Sequence, residues 1–337
     1  MGDRPGRGPV VVAGATGFVG RALLPALRAA GEEVRGLSRS PGPPRSDGVT
    51  WFVADARRPE TLAPALRGAR AVYWLVHGMG GAARDYAREE RRGAAGLARE
   101  AARAGVERIV YLGGVAPQGA PSRHLASRLA VGEILRAGPV PALELRAAMI
   151  VGSGSASWKI VRDLALRLPA MAFPAWARSR SCPVALADVV RALVAALALP
   201  LPASAWFDLP GPEELSVRET LERVAALRGR RLPALAIPLP APGLSSLWLK
   251  LVSGADFAVA RELVRGLAHD LRPRDGRYWD LAGLPPRIPF DEAASGALAG
   301  DPPEPGLHGL LMAMEEAMVD ALGPRGGPPR PGGRPRR

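Results

Sequence analysis

Residues 10–20 read VVVAGATGFVG, a short apolar run that leads into a glycine-rich turn and then into a segment of helical periodicity. Glycine at positions 14, 17 and 20 lets the chain bend sharply, lets a phosphate reach the backbone and lets the helix pack closely on the strand. The first turn of such a helix also offers unbonded amides and the positive end of its dipole. We therefore predict a turn that binds the pyrophosphate of a dinucleotide, formed by Gly14, Thr16, Gly17, Phe18, Val19 and Gly20.

Apolar runs and helical segments continue to alternate beyond this turn. Strands are predicted over residues 33–38, 50–53, 71–76, 108–112 and 142–146, and helices over residues 21–30, 60–67, 82–104 and 123–137. Strands that alternate with helices form a parallel sheet that is covered by helices on both faces. The predicted fold class is therefore α/β, a Rossmann-type doubly wound parallel sheet.

The alternation loosens after residue 150, where a small, mostly helical C-terminal lid over the substrate is expected. Helices are predicted over residues 158–168, 188–197, 216–227 and 254–267, and strands that return to the first sheet over residues 182–186 and 205–209. Ser216 and Glu219 form a capping box at the start of the third of these helices. The expected division is a nucleotide-binding domain of residues 9–155 and 177–210 and a lid of residues 156–176 and 211–300.

The two ends of the chain are expected to lie outside these units. Residues 1–8 and 324–337 are rich in Gly, Pro and Arg and are predicted to be disordered. Residues 301–323 begin as a proline-rich linker and continue as an amphipathic helix, whose apolar side chains repeat at helical spacing between residues 307 and 322. Such a stripe is typical of a helix that docks on its own protein, and a homodimer or partner contact is the alternative.

The formal net charge of +13 is an arginine bias of the whole chain, with five of the charges in residues 324–337. We expect a solvated surface and no specific nucleic-acid partner, with sequence-independent attraction to nucleic acid or acidic lipid as the alternative. The single cysteine excludes an internal disulfide, and the four scattered histidines do not indicate a metal site. No apolar stretch reaches the roughly 18 residues of a membrane span, so the expected location is the cytoplasm.

The end of the second predicted strand indicates which cofactor binds. A carboxylate there would bind the ribose 2′-hydroxyl of NAD, whereas an arginine accommodates the 2′-phosphate of NADP. The chain has Ser38, Arg39 and Ser40 at this point and no carboxylate, so NADP is predicted and NAD is less favoured. Asp55 follows the third strand at a place suited to face the adenine, and capping of a nearby turn or helix is its alternative role.

These motifs resemble those of the extended and atypical short-chain dehydrogenase/reductases, especially the NmrA-like and epimerase-like NAD(P)-binding subgroup. The matching segments are residues 14–20, 54–55, 73–78, 108–114 and 145–152, and the resemblance extends from residue 9 to about residue 290. It implies a Rossmann domain with a small C-terminal lid, and adds Val76, His77 and Gly113 to the expected cofactor contacts. It also implies that the loop of residues 152–155 lies near the nicotinamide end.

The chain departs from this superfamily at the catalytic position. Members usually carry Tyr-x-x-x-Lys, but none of the four tyrosines here has a lysine four residues later. His124 and Arg128 stand at the corresponding place, one helical turn apart. Arg128 could hold a ribose or a phosphate but stays protonated near pH 7, whereas His124 could donate a proton to a carbonyl. A binding-only role and a purely structural role are the alternatives for this pair.

Two functions from different classes fit these observations. The first is an NADP-dependent oxidoreductase that reduces a small carbonyl, quinone or activated alkene. The second is a non-catalytic NAD(P)-binding sensor, as some NmrA-like proteins are. Epimerisation of a nucleotide sugar is less favoured, because that reaction also needs the missing tyrosine.

Overall fold

A seven-stranded sheet of entirely parallel strand pairs forms the centre of the fold. The computed structural model describes residues 8–41, 48–76, 86–167, 171–173, 175–232, 234–236 and 269–301. The first six strands of the central sheet are β1 (Val10–Ala13), β2 (Val34–Ser38), β3 (Thr50–Val53), β4 (Ala71–Trp74), β5 (Arg108–Gly114) and β6 (Ala142–Ala147). Together with β11 (Ala205–Asp208) they lie in the order β11-β6-β5-β4-β1-β2-β3. This is the Rossmann strand order with one strand added beyond β6, so the predicted fold class is confirmed.

Helices cover both faces of this sheet. They are α1 (Phe18–Ala29), α2 (Ala63–Leu66), α3 (Tyr86–Arg103), α4 (Arg123–Arg136) and α6 (Leu186–Ala195), with a short 3-10 turn over Pro59–Leu62 before α2. On one face, side chains such as Val12 pack with Leu23 of α1 and Val189 of α6. On the other face, Val11 packs with Leu97 of α3 and Leu135 of α4. Alternate residues of one strand thus enter opposite cores, as expected of a strand that is buried on both sides.

The prediction that residues 182–186 return to the central sheet is wrong. Only β10 (Val184–Ala185) is extended there, and it pairs in parallel with β7 (Ile150–Val151) as a separate two-stranded sheet. Pro183 has no amide to donate to a strand ladder, and β11 pairs with the edge of β6 that faces away from β5. The companion prediction for residues 205–209 is confirmed, because β11 pairs with β6 from Ala205 to Asp208.

A second core lies beyond the carboxyl edge of the sheet. Its helices are α5 (Ala156–Arg167), α7 (Val217–Leu227) and α9 (Phe290–Gly300), and its largest fully buried side chains include Trp158 and Phe290. Short strands β8 (Met171–Phe173) and β13 (Ala234–Ala236) pair in parallel, and β9 (Arg180–Ser181) and β12 (Leu215–Ser216) pair antiparallel.

The short helix α8 (Arg277–Leu281) lies within the range expected for the lid but packs on the sheet. The Tyr278 hydroxyl donates to the Ala192 carbonyl at 2.8 Å, and the Tyr278 ring lies 5.5 Å from that of Phe207. A segment of the C-terminal part of the chain therefore packs into the core of the central sheet. The predicted helix over residues 254–267, the amphipathic helix over 307–322 and the tail over 324–337 lie outside the described residues. Across the described parts of the chain, no helix is both long enough and apolar enough to cross a bilayer.

The predicted capping box at the start of α7 is confirmed. The Ser216 hydroxyl accepts the Glu219 amide at 3.1 Å, and the Glu219 carboxylate accepts the Ser216 amide at 2.7 Å. These bonds lower the pKa of Glu219 below its ordinary value. A carboxyl whose folded pKa is lowered stabilises the fold above its unfolded pKa, and that contribution is lost as the pH falls through the folded pKa.

We expect Ser216→Ala to lower the free energy of unfolding by about 1 kcal/mol, because the Glu219 amide loses its acceptor and the Glu219 carboxylate loses its hydrogen bond with the Ser216 hydroxyl. Ser122 offers a matched control, since it caps α4 through a single bond of 3.3 Å from the Leu125 amide. Urea unfolding should give a smaller loss for Ser122→Ala than for Ser216→Ala. Equal losses would contradict an additional contribution from the contact between the Ser216 hydroxyl and the Glu219 carboxylate.

Candidate functional site

The glycine-rich turn lies between the end of β1 and the start of α1, as predicted. Gly14 has a φ of +88°, and a Cβ built on it would lie 2.7 Å from the carbonyl carbon and oxygen of Leu75. A Cβ on Gly20 would lie 2.2 Å from the Gly14 carbonyl oxygen. The turn therefore requires glycine at position 14 for its backbone conformation and at position 20 for the close approach of α1.

The start of α1 leaves room for an anion. Gly17 precedes the helix with no side chain to accept its first amides, and the first turn of the helix contains no acidic residue. Thr16 and Gly17 are exposed to solvent. Uncapped amides, the positive end of the helix dipole and a backbone free of side chains are the features that a pyrophosphate requires. The residues present therefore fit the phosphates of a dinucleotide.

The loop of residues 152–155 lies beside this turn. A Cβ on Gly152 would lie 3.1 Å from Cζ of Phe18, and one on Gly154 would lie 3.6 Å from Cδ2 of the same ring. The Ser153 hydroxyl also donates to the Gly300 carbonyl at 2.8 Å, at the end of α9. The loop thus links the first residue of α1 to the end of α9, and its placement near the nicotinamide end stays a prediction.

The predicted adenosine contacts gather where β2 and β3 end. Ser38 is the last residue of β2, and Arg39 and Ser40 follow it as exposed residues. The Asp55 carboxylate accepts the Arg57 amide at 3.0 Å and the Arg57 Nη2 at 2.7 Å. Hydrogen bonds from Arg57, with a contribution from the charge of Arg39, lower the pKa of Asp55. Asp55 therefore closes the adjacent turn as a carboxylate, and its contact with an adenine stays a prediction.

The contacts expected after β4 and β5 are partly described. The Val76 amide lies 3.1 Å from the Cβ position of Gly14, so the structure brings the end of β4 to the turn. His77 lies outside the described residues. Gly113 has a structural role of its own, because a Cβ there would lie 2.6 Å from Oε1 of Glu144. Its contact with a cofactor stays a prediction.

His124 and Arg128 both lie on α4, and Arg128 reaches the carboxyl end of β5. Its Nη2 donates to the Leu112 carbonyl at 2.7 Å. The Tyr111 hydroxyl donates to the Arg128 carbonyl at 3.0 Å, and burial raises the pKa of Tyr111 to about 12, so this phenol stays neutral. His124 is only 8% exposed. Arg128 also lies beside Gly114, since a Cβ there would lie 3.3 Å from the Arg128 Nε.

Sequence reasoning missed a buried charge cluster behind this pair. The Glu144 side chain is 1% exposed and accepts Arg146 Nε at 2.9 Å and Arg136 Nε at 2.9 Å. Gly132 of α4 makes room for the carboxylate, since a Cβ there would lie 2.4 Å from Oε1 of Glu144. Two opposite charges at alternate positions of a central strand were the signal that could have revealed it.

Within the described residues, no group of three or more His, Cys, Asp or Glu is arranged to hold a metal.

Comparison with known proteins adds independent information on this turn. The profile of a family described as NAD(P)H-binding matches residues 14–200, from the first glycine of the turn to the segment after α6. The chain belongs to this NAD(P)H-binding family.

Individual relatives of this NAD(P)H-binding chain are more distant. A 3-beta-hydroxysteroid dehydrogenase from Mycolicibacterium neoaurum is 34% identical over 124 residues, which cover 33% of this chain and 34% of that protein. The chain thus aligns with about a third of the length of that curated relative.

Solved structures resemble the whole described fold. The crystal structure of gox2253 has a TM-score of 0.67 at 23% identity. The alignment covers 86% of this chain and 97% of the gox2253 chain. MoeE5 in complex with UDP-glucuronic acid and NAD has a TM-score of 0.65 at 19% identity. The alignment covers 87% of this chain and 98% of the MoeE5 chain. These likenesses concern the fold. Together with the family match, they confirm the resemblance to extended and atypical short-chain dehydrogenase/reductases.

Proposed function

We propose that the protein is an NADP-dependent oxidoreductase that reduces a small carbonyl, quinone or activated alkene. The observation that carries the proposal is the uncapped, glycine-lined start of α1, where Gly14 lies against the end of β4. The partial match to a 3-beta-hydroxysteroid dehydrogenase supports redox chemistry between a carbonyl and a hydroxyl group. Among the three acceptor classes, a carbonyl is therefore favoured.

In this proposal each group of the site has a separate task. The amides at the start of α1 bind the pyrophosphate, and Arg39 with Ser38 and Ser40 binds the 2′-phosphate of NADP. Arg128 holds the nicotinamide ribose at the end of β5 without exchanging protons. The bound nicotinamide supplies the hydride. On α4, His124 is the candidate donor of the proton that a carbonyl oxygen needs.

Arg39→Asp tests the preference for NADP over NAD. Loss of a charge-assisted contact to the 2′-phosphate should raise the Kd of NADPH about 10- to 100-fold and leave that of NADH within about threefold. Arg67→Asp is the matched control, because it changes the charge by the same amount at an exposed arginine. Arg67 precedes β4, at the amino ends of the strands, whereas Arg39 follows the carboxyl end of β2. Fluorescence titration with both cofactors measures the difference. Equal losses for NADPH and NADH would overturn the NADP preference.

A non-catalytic sensor is the second candidate, and the end of β5 favours it. Gly113 and Gly114 offer no hydroxyl to a substrate oxygen, and α4 carries no tyrosine. A panel of carbonyls, quinones and activated alkenes separates the two candidates. Consumption of NADPH with any acceptor supports the enzyme, whereas tight binding of NADPH without consumption by any of them supports the sensor.

A further inference from the structure

A segment of the lid crosses the carboxyl ends of β5 and β6. The Leu271 amide donates to the Arg180 carbonyl at 2.8 Å, and the Arg180 amide donates to Oδ1 of Asp270 at 2.8 Å. The Gln118 amide, in the loop between β5 and α4, donates to the Asp270 carbonyl at 3.3 Å. These bonds attach residues 269–271 both to β9 of the lid and to the nucleotide-binding domain.

Apolar packing fixes the same segment at the sheet edge. Leu271 is buried in a small cluster with Val115, Leu125 and Ala148. Val115 follows β5, Ala148 follows β6, and Leu125 is the neighbour of His124 on α4. In open α/β sheets, ligands bind in the crevice outside the carboxyl ends of the strands. Residues 269–271 therefore form part of the wall of that crevice.

His269 is placed by this attachment against the loop that leads into α4. Its Nδ1 lies 3.5 Å from the position that a Cβ on Gly119 would take. The imidazole is partly exposed, whereas the imidazole of His124 is 8% exposed. The side chain of His269 is thus more accessible to solvent, and so to a substrate, than the side chain of His124.

The residues that follow His269 take part in a network of ion pairs within the expected lid. Asp270 is its chain neighbour, and the Asp270 carboxylate pairs with Arg272 at 3.6 Å. Arg180 and Arg272 both pair with Glu214, at 2.7 and 3.3 Å. Residues 113–122, which connect β5 to α4, contain no titratable side chain. This loop therefore has no acidic or basic side chain that could compete with His269 for a substrate oxygen.

We propose that His269 is a catalytic residue that donates the proton to the carbonyl oxygen of the substrate. This inference rests on the proposed oxidoreductase function and deepens it, with His269 in place of His124 as the proton donor. The carbonyl carbon accepts a hydride from NADPH while the C=O π bond breaks, and the oxygen accepts a proton from the His269 imidazolium. The products are an alcohol, NADP⁺ and a neutral imidazole, which regains its proton from water. The substrate class is then an aldehyde or ketone rather than a quinone or alkene.

His269→Gln tests the inference, because glutamine keeps a hydrogen-bond donor but cannot release a proton. General acid catalysis contributes roughly 100- to 10,000-fold, so kcat/KM for carbonyl reduction should fall at least about 100-fold. The Kd of NADPH should stay within about twofold, which shows that the variant is folded and loaded. A binding readout accompanies this measurement. The imidazole NMR signal that disappears in His269→Gln should shift in the wild-type protein when the alcohol product is added to the NADP⁺ complex.

The outcomes separate this inference from the broader proposal. If the wild-type protein binds NADPH but reduces only quinones or alkenes, the role of His269 is overturned while the oxidoreductase stands. If His269→Gln keeps carbonyl turnover within threefold, or if the loss occurs in His124→Gln instead, the role of His269 is also overturned. Failure of the wild-type protein to bind NADPH would defeat the proposed function itself.

Discussion

Replacing Gly14 with alanine is expected to weaken NADPH binding at least about 100-fold and to destabilise the fold. A non-glycine residue at a φ of +88° costs about 1–2 kcal/mol, and its Cβ would overlap the Leu75 carbonyl at 2.7 Å. The end of β4 must then move away from the turn, which displaces the amides at the start of α1. Fluorescence titration with NADPH and urea unfolding measure the two effects.

Gly31 provides the matched control at the other end of α1. It has a similar φ of +83°, but nothing lies within 4 Å of the Cβ that alanine would add. Gly31→Ala should therefore cost the strain alone, about 1–2 kcal/mol, and leave the Kd of NADPH unchanged. A comparable loss of affinity in both variants would show that Gly14 acts only through global stability.

Gly17→Ala keeps the test decisive even if Gly14→Ala does not fold. Gly17 has a φ of −77°, which alanine adopts freely, and the nearest atom to its Cβ is the Gly14 carbonyl oxygen at 3.1 Å. The added methyl group should leave stability nearly unchanged and raise the Kd of NADPH about tenfold, because it occupies space beside the phosphates. Wild-type affinity in a folded Gly17→Ala protein would contradict the placement of the pyrophosphate.

The parts of this protein that the sequence predicted well are those set by local rules. The turn at Gly14 follows from the conformational freedom of glycine, and the capping box of Ser216 follows from a spacing of three residues. The strands β1 to β6 also appear close to their predicted ranges, because each is a buried apolar run between helical segments. Local patterns of this kind do not depend on which distant segments meet.

The parts that sequence reasoning missed depend on long-range placement. Residues 182–186 have the apolar pattern of a central strand, yet β10 pairs with β7 outside the central sheet, and β11 occupies the edge of β6. His269 lies far from the glycine-rich turn in sequence, and it reaches the ends of β5 and β6 through the packing of Leu271 and the hydrogen bonds of Asp270. Periodicity predicts that an element exists, but it does not predict which edge or cleft that element occupies.

Glu144→Ala is expected to be the most destabilising single substitution discussed for this chain, with a loss of about 3–5 kcal/mol. The carboxylate is 1% exposed and is the shared partner of Arg146 and Arg136, whose side chains are 8% and 23% exposed. Its removal would leave a buried guanidinium without its counter-charge and a cavity between Gly113 and Gly132. The expected result in urea unfolding is a lower midpoint with an unchanged slope.

Two further variants distinguish charge from shape at this site. Glu144→Gln keeps the volume and one acceptor oxygen, so its loss should be smaller than that of alanine but still above about 1 kcal/mol, because the arginine charges lose their counter-ion. Glu133→Ala removes an exposed carboxylate from the same helix as Arg136 and should stay within about 0.5 kcal/mol of the wild-type protein. Losses in Glu144→Ala no larger than in Glu133→Ala would show that the cluster does not stabilise the sheet. If Glu144→Ala instead weakened NADPH binding without lowering stability, the cluster would have to act on the cofactor through Gly113, which lies against the same carboxylate.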